Sequence, residues 1–436
     1  MSDAQYEQFS KYLPLQGGYF LLVVSISLLL KHYFPQNPSP RTWWHALSGL
    51  FMVLFASHAG ILLLLLTLCA NYATKLLFQR SPYLPYLAWL LNCGLILYFS
   101  HGKSLLANIF PPLGFLDQHR TDFLWCGSPI MIITRCISFQ MDAHWAAVAA
   151  SDSPGTGDTS GGTSGASPVH FNMLQSDPDL SSKSRQERSH PPDNYTFLNF
   201  ISYSVYTPLY AAGPIISFNS FLSYLKHPQT TYSKKQLSLY LFRIILIFLG
   251  KELLSHYIFK ISVHFGYYLL DENIDSISWW AISYWTLKIT YLKFVIIWRF
   301  YRFWALLDGV EPPENLPRCM SNNYTISGFW RVWHRSFYLW LIRYLYIPLG
   351  GNPTASKGPY TSILRKVLNV WVVFSFVIFA HVPEVYKDWK ILFWGWSMAA
   401  FMVPELVVGY AYKSYWPLYY GGVKWSPLQR VVEGAG

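Results

Sequence analysis

Apolar residues in this chain come in long runs separated by short polar stretches. The runs occupy 19–30, 61–70, 84–99, 197–218, 237–249, 277–297, 367–379 and 391–408. A helix needs about 20 mostly apolar residues to cross the hydrocarbon core, and a helix satisfies its own backbone there. The pattern predicts an all-α, polytopic membrane protein of roughly eight to eleven spans. Lys31 and His32 follow the first run with no small-residue cleavage site, so it reads as a retained span rather than a removable signal.

One segment breaks this texture. From Ser151 to Asp193 the chain is rich in Ser, Gly, Asp and Pro and too poor in apolar residues to join a packed core, which predicts a disordered loop. It divides the protein into an N-terminal transmembrane block (1–145), the low-complexity loop (146–196) and a second membrane block (197–436), without implying separate folding units. The sequons at Asn194 and Asn323 matter only if they face a lumen. Just beyond the loop, Pro208 and the pair Gly213-Pro214 would break any straight span. A broken helix within a membrane is tolerated when it is buried in protein or lines a cavity.

Composition sharpens the picture. With 52% hydrophobic, 19% aromatic and only 13% charged residues, an ordinary soluble domain is excluded. The net charge of +11 resides mainly in Lys and Arg near span ends, which points to anionic headgroups or anionic substrates before nucleic acid. The slightly acidic first 16 residues, with Lys31 and Arg41 after the first run, favour a non-cytoplasmic N-terminus. Five cysteines form no CxxC pair and read as buried thiols. The sequence has no HExxH, no His or Cys pair at ligand spacing and no glycine-rich phosphate loop, so no metal site is expected.

Candidate chemistry lies in FWRVWHRSFYLWLIRYLYIPLGG, which begins at Phe329. At 100° per residue, Trp330, Trp333, Phe337, Trp340, Leu341 and Tyr344 fall within an arc of about 100°. Arg331, Arg335 and Tyr338 lie on another side, and His334 sits at the border. Such a helix suits the headgroup boundary, with rings at the interface and guanidiniums toward water or phosphate. A plain membrane-surface anchor would show the same pattern. Pro348 ends the helix, and a second apolar run ends at His381. The legs from His334 to Pro348 and from Lys366 to His381 each cover about 21–23 Å of helix. Antiparallel spans would return the two histidines to similar depth, whereas a first leg lying flat would require the second to tilt. An ionisable group within a membrane is a functional hypothesis.

These residues carry a resemblance. The 329–351 stretch with His381 beyond it, YTPLYAAGPIISFNSF, IIWRFYRFWALLDGVEPPEN and RCMSNNY together resemble the membrane-bound O-acyltransferase family, in particular its glycerol uptake branch, whose fungal members remodel GPI anchors. The resemblance implies a bundle of tilted transmembrane and interfacial helices around a central cavity in the endoplasmic reticulum membrane. It implies transfer of a fatty acyl group from acyl-CoA, as co-substrate with no other cofactor, to a lipid-linked hydroxyl of lyso-lipid or lyso-GPI type. His381 matches the family's intramembrane histidine and His334 its second signature position. A neutral imidazole can take the proton of an alcohol attacking a thioester. His334 would orient the acceptor or stabilise the oxyanion, and Arg331, Arg335 and Arg343 would hold CoA phosphates.

Two departures accompany the match. The family usually reads Trp-His-Asp where this chain has Ala380-His381-Val382, a pattern that suits a catalytically silent regulator as the alternative. Relatives also continue into one or two more spans, so the second block is expected to lack the final ones. A transporter should show internal repeats with paired broken helices, and no convincing repeat is visible.

Overall fold

The computed structural model describes residues 4–58, 60–101, 108, 111–118, 129–151, 181–257, 276–322 and 326–348. Nearly all belong to the first of two compact units, Met1–Leu345 and Tyr346–Gly436. His381, the runs at 367–379 and 391–408, and the loop core at 152–180 lie outside the described residues.

The helices, in order, are α1 (Ala4–Tyr33), α2 (Ser39–Ser57), α3 (Gly60–Phe78), α4 (Leu84–His101), α5 (Pro129–Ser151), α6 (Ser182–Glu187) and α7 (Phe197–Ser204). They continue as α8 (Thr207–Tyr210), α9 (Phe218–Lys226), α10 (Lys234–Tyr257), α11 (Ser276–Leu307), α12 (Ile326–Val332) and α13 (Arg335–Leu341). A π-helical turn, Ile342–Tyr346, extends α13. No strand occurs among the described residues. Local rules fix several starts: Pro40 sits in the first turn of α2, where its missing N–H costs nothing. Thr196 and Ser217 cap α7 and α9 by accepting from Asn199 N and Ser220 N.

Several helices are inside out relative to a soluble protein. On α2, Arg41, Thr42, His45 and Ser48 are buried while Trp43, Leu47, Phe51, Leu54 and Phe55 are exposed. On α10, Leu239, Phe242, Ile245, Leu246, Leu249 and Leu253 are exposed, at helical spacing. Polar inside and apolar outside is the arrangement that a lipid solvent stabilises. Two helices, 9–33 and 60–78, are long and apolar enough to cross a membrane on hydropathy, with a shorter apolar helix at Leu84–Phe99. The other long helices carry charged residues: Arg135 and Asp142 on α5, Lys293, Arg299 and Arg302 on α11. These lower a hydropathy average, while inside the protein Asp142, Arg299 and Arg302 form ion pairs and Arg135 donates to backbone carbonyls.

Helix α5 is the axis of the packing. Residues 132–144 are buried on every side, and α3, α4, α7 and α9 pack around it. Helices α1, α8 and α10 pack against α11, whose Trp298 and Tyr301 join Phe9 and Phe20 in an aromatic core. Gly49 allows α2 to meet α7: a Cβ there would lie 2.2 Å from Val205 O.

Of the stretch 146–196, expected to be a low-complexity loop, the two described parts are ordered. Its first residues complete α5 through Ser151, and 181–196 packs onto the unit, with Arg185, Ser189, His190 and Tyr195 buried. The physical reason is local: after the Ser- and Gly-rich portion, the segment supplies an arginine, a histidine and a tyrosine that find buried partners.

Candidate functional site

The chain breaks where Pro208 and Gly213-Pro214 require it. Between α7 and α9 it forms only the single turn α8 and then an irregular stretch, 211–217, whose residues from Gly213 onward are buried. Gly213 is needed because a Cβ would stand 2.5 Å from Leu209 Cα. Breaking a helix orphans terminal carbonyls, and Arg135 of α5 collects three of them. Its guanidinium donates to Tyr203 O at 3.3 Å, Ser204 O at 2.5 Å and Leu209 O at 2.6 Å. Irregular backbone is thereby held at depth by a buried cation.

Asp142, two turns further along α5, organises the other side. It accepts from Arg343 Nη2 at 3.0 Å, from Tyr344 Oη at 3.0 Å and from Asn219 N in the first turn of α9 at 3.2 Å. The Arg343 guanidinium lies 5.0 Å from the Trp145 ring, and Trp145 stacks on Tyr344. One turn earlier on α13, Trp340 Nε1 donates to Thr134 O and Ser138 Oγ, both at 3.1 Å.

A second buried ion cluster joins α1, α2, α8 and α11. Asp308 accepts from Arg41 at 3.3 Å and from Tyr206 Oη at 2.5 Å, and lies 3.3 Å from His45 Nε2. Arg41 also donates to Ser27 Oγ, Leu225 O and Asp308 O. Neither this cluster nor the Asp142 group was assigned from sequence, although ionisable residues inside apolar runs were the available signal.

The 329–348 stretch is not one continuous helix. It breaks at His334, which adopts the left-handed conformation (φ 50°, ψ 49°) between α12 and α13. The physical reason is tertiary. The carbonyl of His334 accepts from Phe337 N and Tyr338 N. Asn315 takes the next two amides, with its carbonyl accepting from Arg335 N at 3.2 Å and its Oδ1 from Ser336 N at 2.9 Å. Ser336 Oγ in turn accepts from Ile215 N at 2.9 Å, tying α13 to the broken segment. The His334 ring packs 4.7 Å from Trp298 and 5.5 Å from Phe337.

Of the three expected cations, Arg331 and Arg335 are exposed on the flanks of this break. Arg343 departs from that set: it is buried and ion-paired with Asp142, because the π-helical turn aims it at α5. His334 and the two exposed arginines thus lie at one break in the chain, Arg343 is set apart, and His381 lies outside the described residues. Among the described residues no group of three or more His, Cys, Asp or Glu could hold a metal ion.

A family model described as MBOAT, membrane-bound O-acyltransferase family, matches residues 41–419. The chain is similar to the membrane-bound O-acyltransferase gup1 of Schizosaccharomyces pombe, at 31% identity over 448 residues, covering 100% of this chain and 70% of that protein. It is 36% identical over 236 residues to GUP1 of Saccharomyces cerevisiae, covering 54% of this chain and 39% of the yeast protein. Over 204 residues it is 29% identical to the mouse protein-cysteine N-palmitoyltransferase HHAT, covering 44% of this chain and 38% of that one.

Proposed function

Because the chain belongs to the membrane-bound O-acyltransferase family, whose members act in membranes, we propose that it moves a fatty acyl group from acyl-CoA to a lipid-linked hydroxyl of lyso-lipid or lyso-GPI type. One observation carries the reading: the family match runs from 41 to 419 and so contains both His334 and His381. In this reading the helices form a bundle of tilted and interfacial elements around a central cavity, in the endoplasmic reticulum membrane. The catalytic block is 197–436, joined to the 1–145 block through the intervening loop.

His381 acts as general base, taking the acceptor's hydroxyl proton as its oxygen attacks the thioester carbon. His334 orients the acceptor or donates to the developing oxyanion. Its fixed left-handed backbone and its packing against Trp298 support this role, since a residue held in a sparsely populated conformation is costly unless the surroundings require it. Arg331 and Arg335, exposed and close in sequence to His334, hold the CoA phosphates. Arg343 serves this site by position, anchoring α13 to α5 through Asp142.

The test is direct transfer. Purified protein in detergent is given radiolabelled acyl-CoA and a panel of lyso-lipids, and esterified product is counted. Product above the no-protein control supports the reading. Binding of acyl-CoA without product from any acceptor would instead favour a silent regulator, the alternative motivated by Ala380 and Val382.

A further inference from the structure

Asn315 is 1% exposed and lies where the chain leaving α11 meets the start of α13. Its place is fixed from both sides. After α11 the chain turns at Gly309 (φ 90°) and runs back along that helix. There Pro312 O accepts from Arg302 Nε at 2.8 Å, and Glu314 Oε1 accepts from Arg299 Nε at 3.0 Å. Leu316 then joins the aromatic core that holds Trp298. From the other side, Arg335 N, in the peptide bond to His334, donates to Asn315 O at 3.2 Å, and Ser336 N donates to Asn315 Oδ1 at 2.9 Å. Trp298 packs 4.7 Å from the His334 ring. Asn315 and His334 are thereby held at one junction of α11 and α13.

These bonds use the oxygens of Asn315 and leave its side-chain nitrogen. Asn315 Nδ2 is buried and has no hydrogen-bond partner among the described residues. A buried donor without a partner costs stability, and folded proteins rarely keep one without a use. The carboxamide cannot relieve that cost by flipping, because the flip would set its NH₂ against the N–H of Ser336. The buried hydroxyls of Ser202, Ser204 and Thr207, also without partners, differ in this respect, since a hydroxyl proton rotates toward whatever acceptor is near. Asn315 therefore presents a fixed, neutral group that donates and does not accept. Such a group matches a carbonyl oxygen, which only accepts. It suits the attacking hydroxyl poorly, because a hydrogen bond would occupy the lone pair that must reach the carbonyl carbon.

We propose that Asn315 Nδ2 donates to the carbonyl oxygen of the acyl-CoA thioester and stabilises the oxyanion that forms on it. The inference rests on the acyl-transfer reading above and leaves His334 to orient the acceptor. In the step, the acceptor oxygen forms a C–O bond to the thioester carbon, and the carbonyl π pair moves onto the oxygen that Asn315 holds. The pair returns as the C–S bond breaks, and the hydroxyl proton passes through His381 to the CoA sulfur. A preorganised donor of this kind binds the oxyanion more strongly than the carbonyl, so it lowers the barrier.

The experiment compares two ligands of one chain length, palmitoyl-CoA and its thioether analogue S-hexadecyl-CoA, which lacks the carbonyl oxygen, binding to the full chain in nanodiscs. The unaltered chain should bind the thioester about three- to tenfold more tightly. Asn315→Asp keeps an oxygen for Ser336 N and loses the donor, and Asn315→Ser keeps a capping oxygen on a side chain one bond shorter. In whichever variant thermal unfolding shows to be folded, the preference should fall to about one. Transfer should drop about 10²-fold with the acceptor KM little changed. Equal weakening of both ligands would mark Asn315 as purely structural and overturn the proposal, as would equal binding of the two by the unaltered chain. Transfer measured in parallel separates this proposal from its premise. A thioester preference that the variants abolish, without turnover on any acceptor, would sustain the donor assignment and overturn acyl transfer.

Discussion

Asp142 and Arg343 stand 201 positions apart in the chain and 3.0 Å apart in the fold, both buried. This pair fastens the α13 end of the candidate site to the central helix. Removing one member of a buried ion pair strands the other charge and costs about 3–5 kcal/mol, whereas replacing both with neutral groups costs far less. Arg343→Gln should therefore lower the thermal unfolding temperature sharply, and adding Asp142→Asn should recover part of the loss. A fully stable Arg343→Gln protein that lost only acyl-CoA affinity would return Arg343 to the phosphate-binding set.

Arg331 and Arg335 are exposed, so their removal should spare stability. Changing both to Gln should raise the acyl-CoA concentration needed for half-maximal transfer much more than the acceptor concentration. The gap should widen at low salt, where screening is weak. Equal loss for both substrates would point to membrane anchoring alone.

Backbone strain at His334 gives a test that separates stability from chemistry. Its φ of 50° favours glycine, so His334→Gly, which relieves the strain though it loses the ring packing, should be more stable than His334→Ala by about 0.5–1 kcal/mol, while transfer falls in both. His334→Ala keeps the strain and loses the ring packing, so it should be the less stable variant. Full activity in His334→Gly would remove the histidine from the mechanism.

The segment 181–196 divides the effect of loop deletion in two. Replacing 152–180 with a Gly-Ser linker of equal length should leave stability and transfer nearly unchanged, as the composition of that stretch suggests. Extending the replacement through 189 removes Arg185, which donates to Ser223 Oγ and His227 O and lies 4.5 Å from the Tyr224 ring. Unfolding temperature should then drop, and identical behaviour of the two proteins would contradict the packing described for this segment.

His190 adds a pH dependence to the same contact. Burial pushes its imidazole down to about 4, partly opposed by its bond to Asn219 O and reinforced by Lys226 and His227. Because the folded value lies below the ordinary 6.5, the contribution of neutral His190 is complete above that pH. It is lost as pH falls from about 6.5 toward about 4, when the unfolded chain takes up the proton first. Proteolysis within 181–196 should rise over this window, and His190→Gln should flatten the rise.

Much of this was legible in local sequence rules. Pro208 and Gly213-Pro214 announced a broken segment, and the apolar runs announced an all-helical membrane protein. The exposed side of the 329–348 stretch was also readable at Arg331 and Arg335. Pairings between distant residues were not. A 100° projection assumes an unbroken helix, so it missed the turn that Asn315 imposes at His334, and the resemblance grouped Arg343 with Arg331 and Arg335 because nothing near it in sequence names Asp142. The same limit hid Arg41, His45 and Tyr206 around Asp308, where each residue alone resembles an isolated polar group in a span.

The most direct measurement of the central claim is acyl transfer by the purified chain with and without the base. The account predicts esterified lyso-lipid from the unaltered protein. It predicts a fall of at least about 10²-fold in His381→Gln at unchanged acyl-CoA binding, because glutamine keeps a hydrogen bond but cannot take a proton near neutral pH. Robust transfer by folded His381→Gln protein would contradict it.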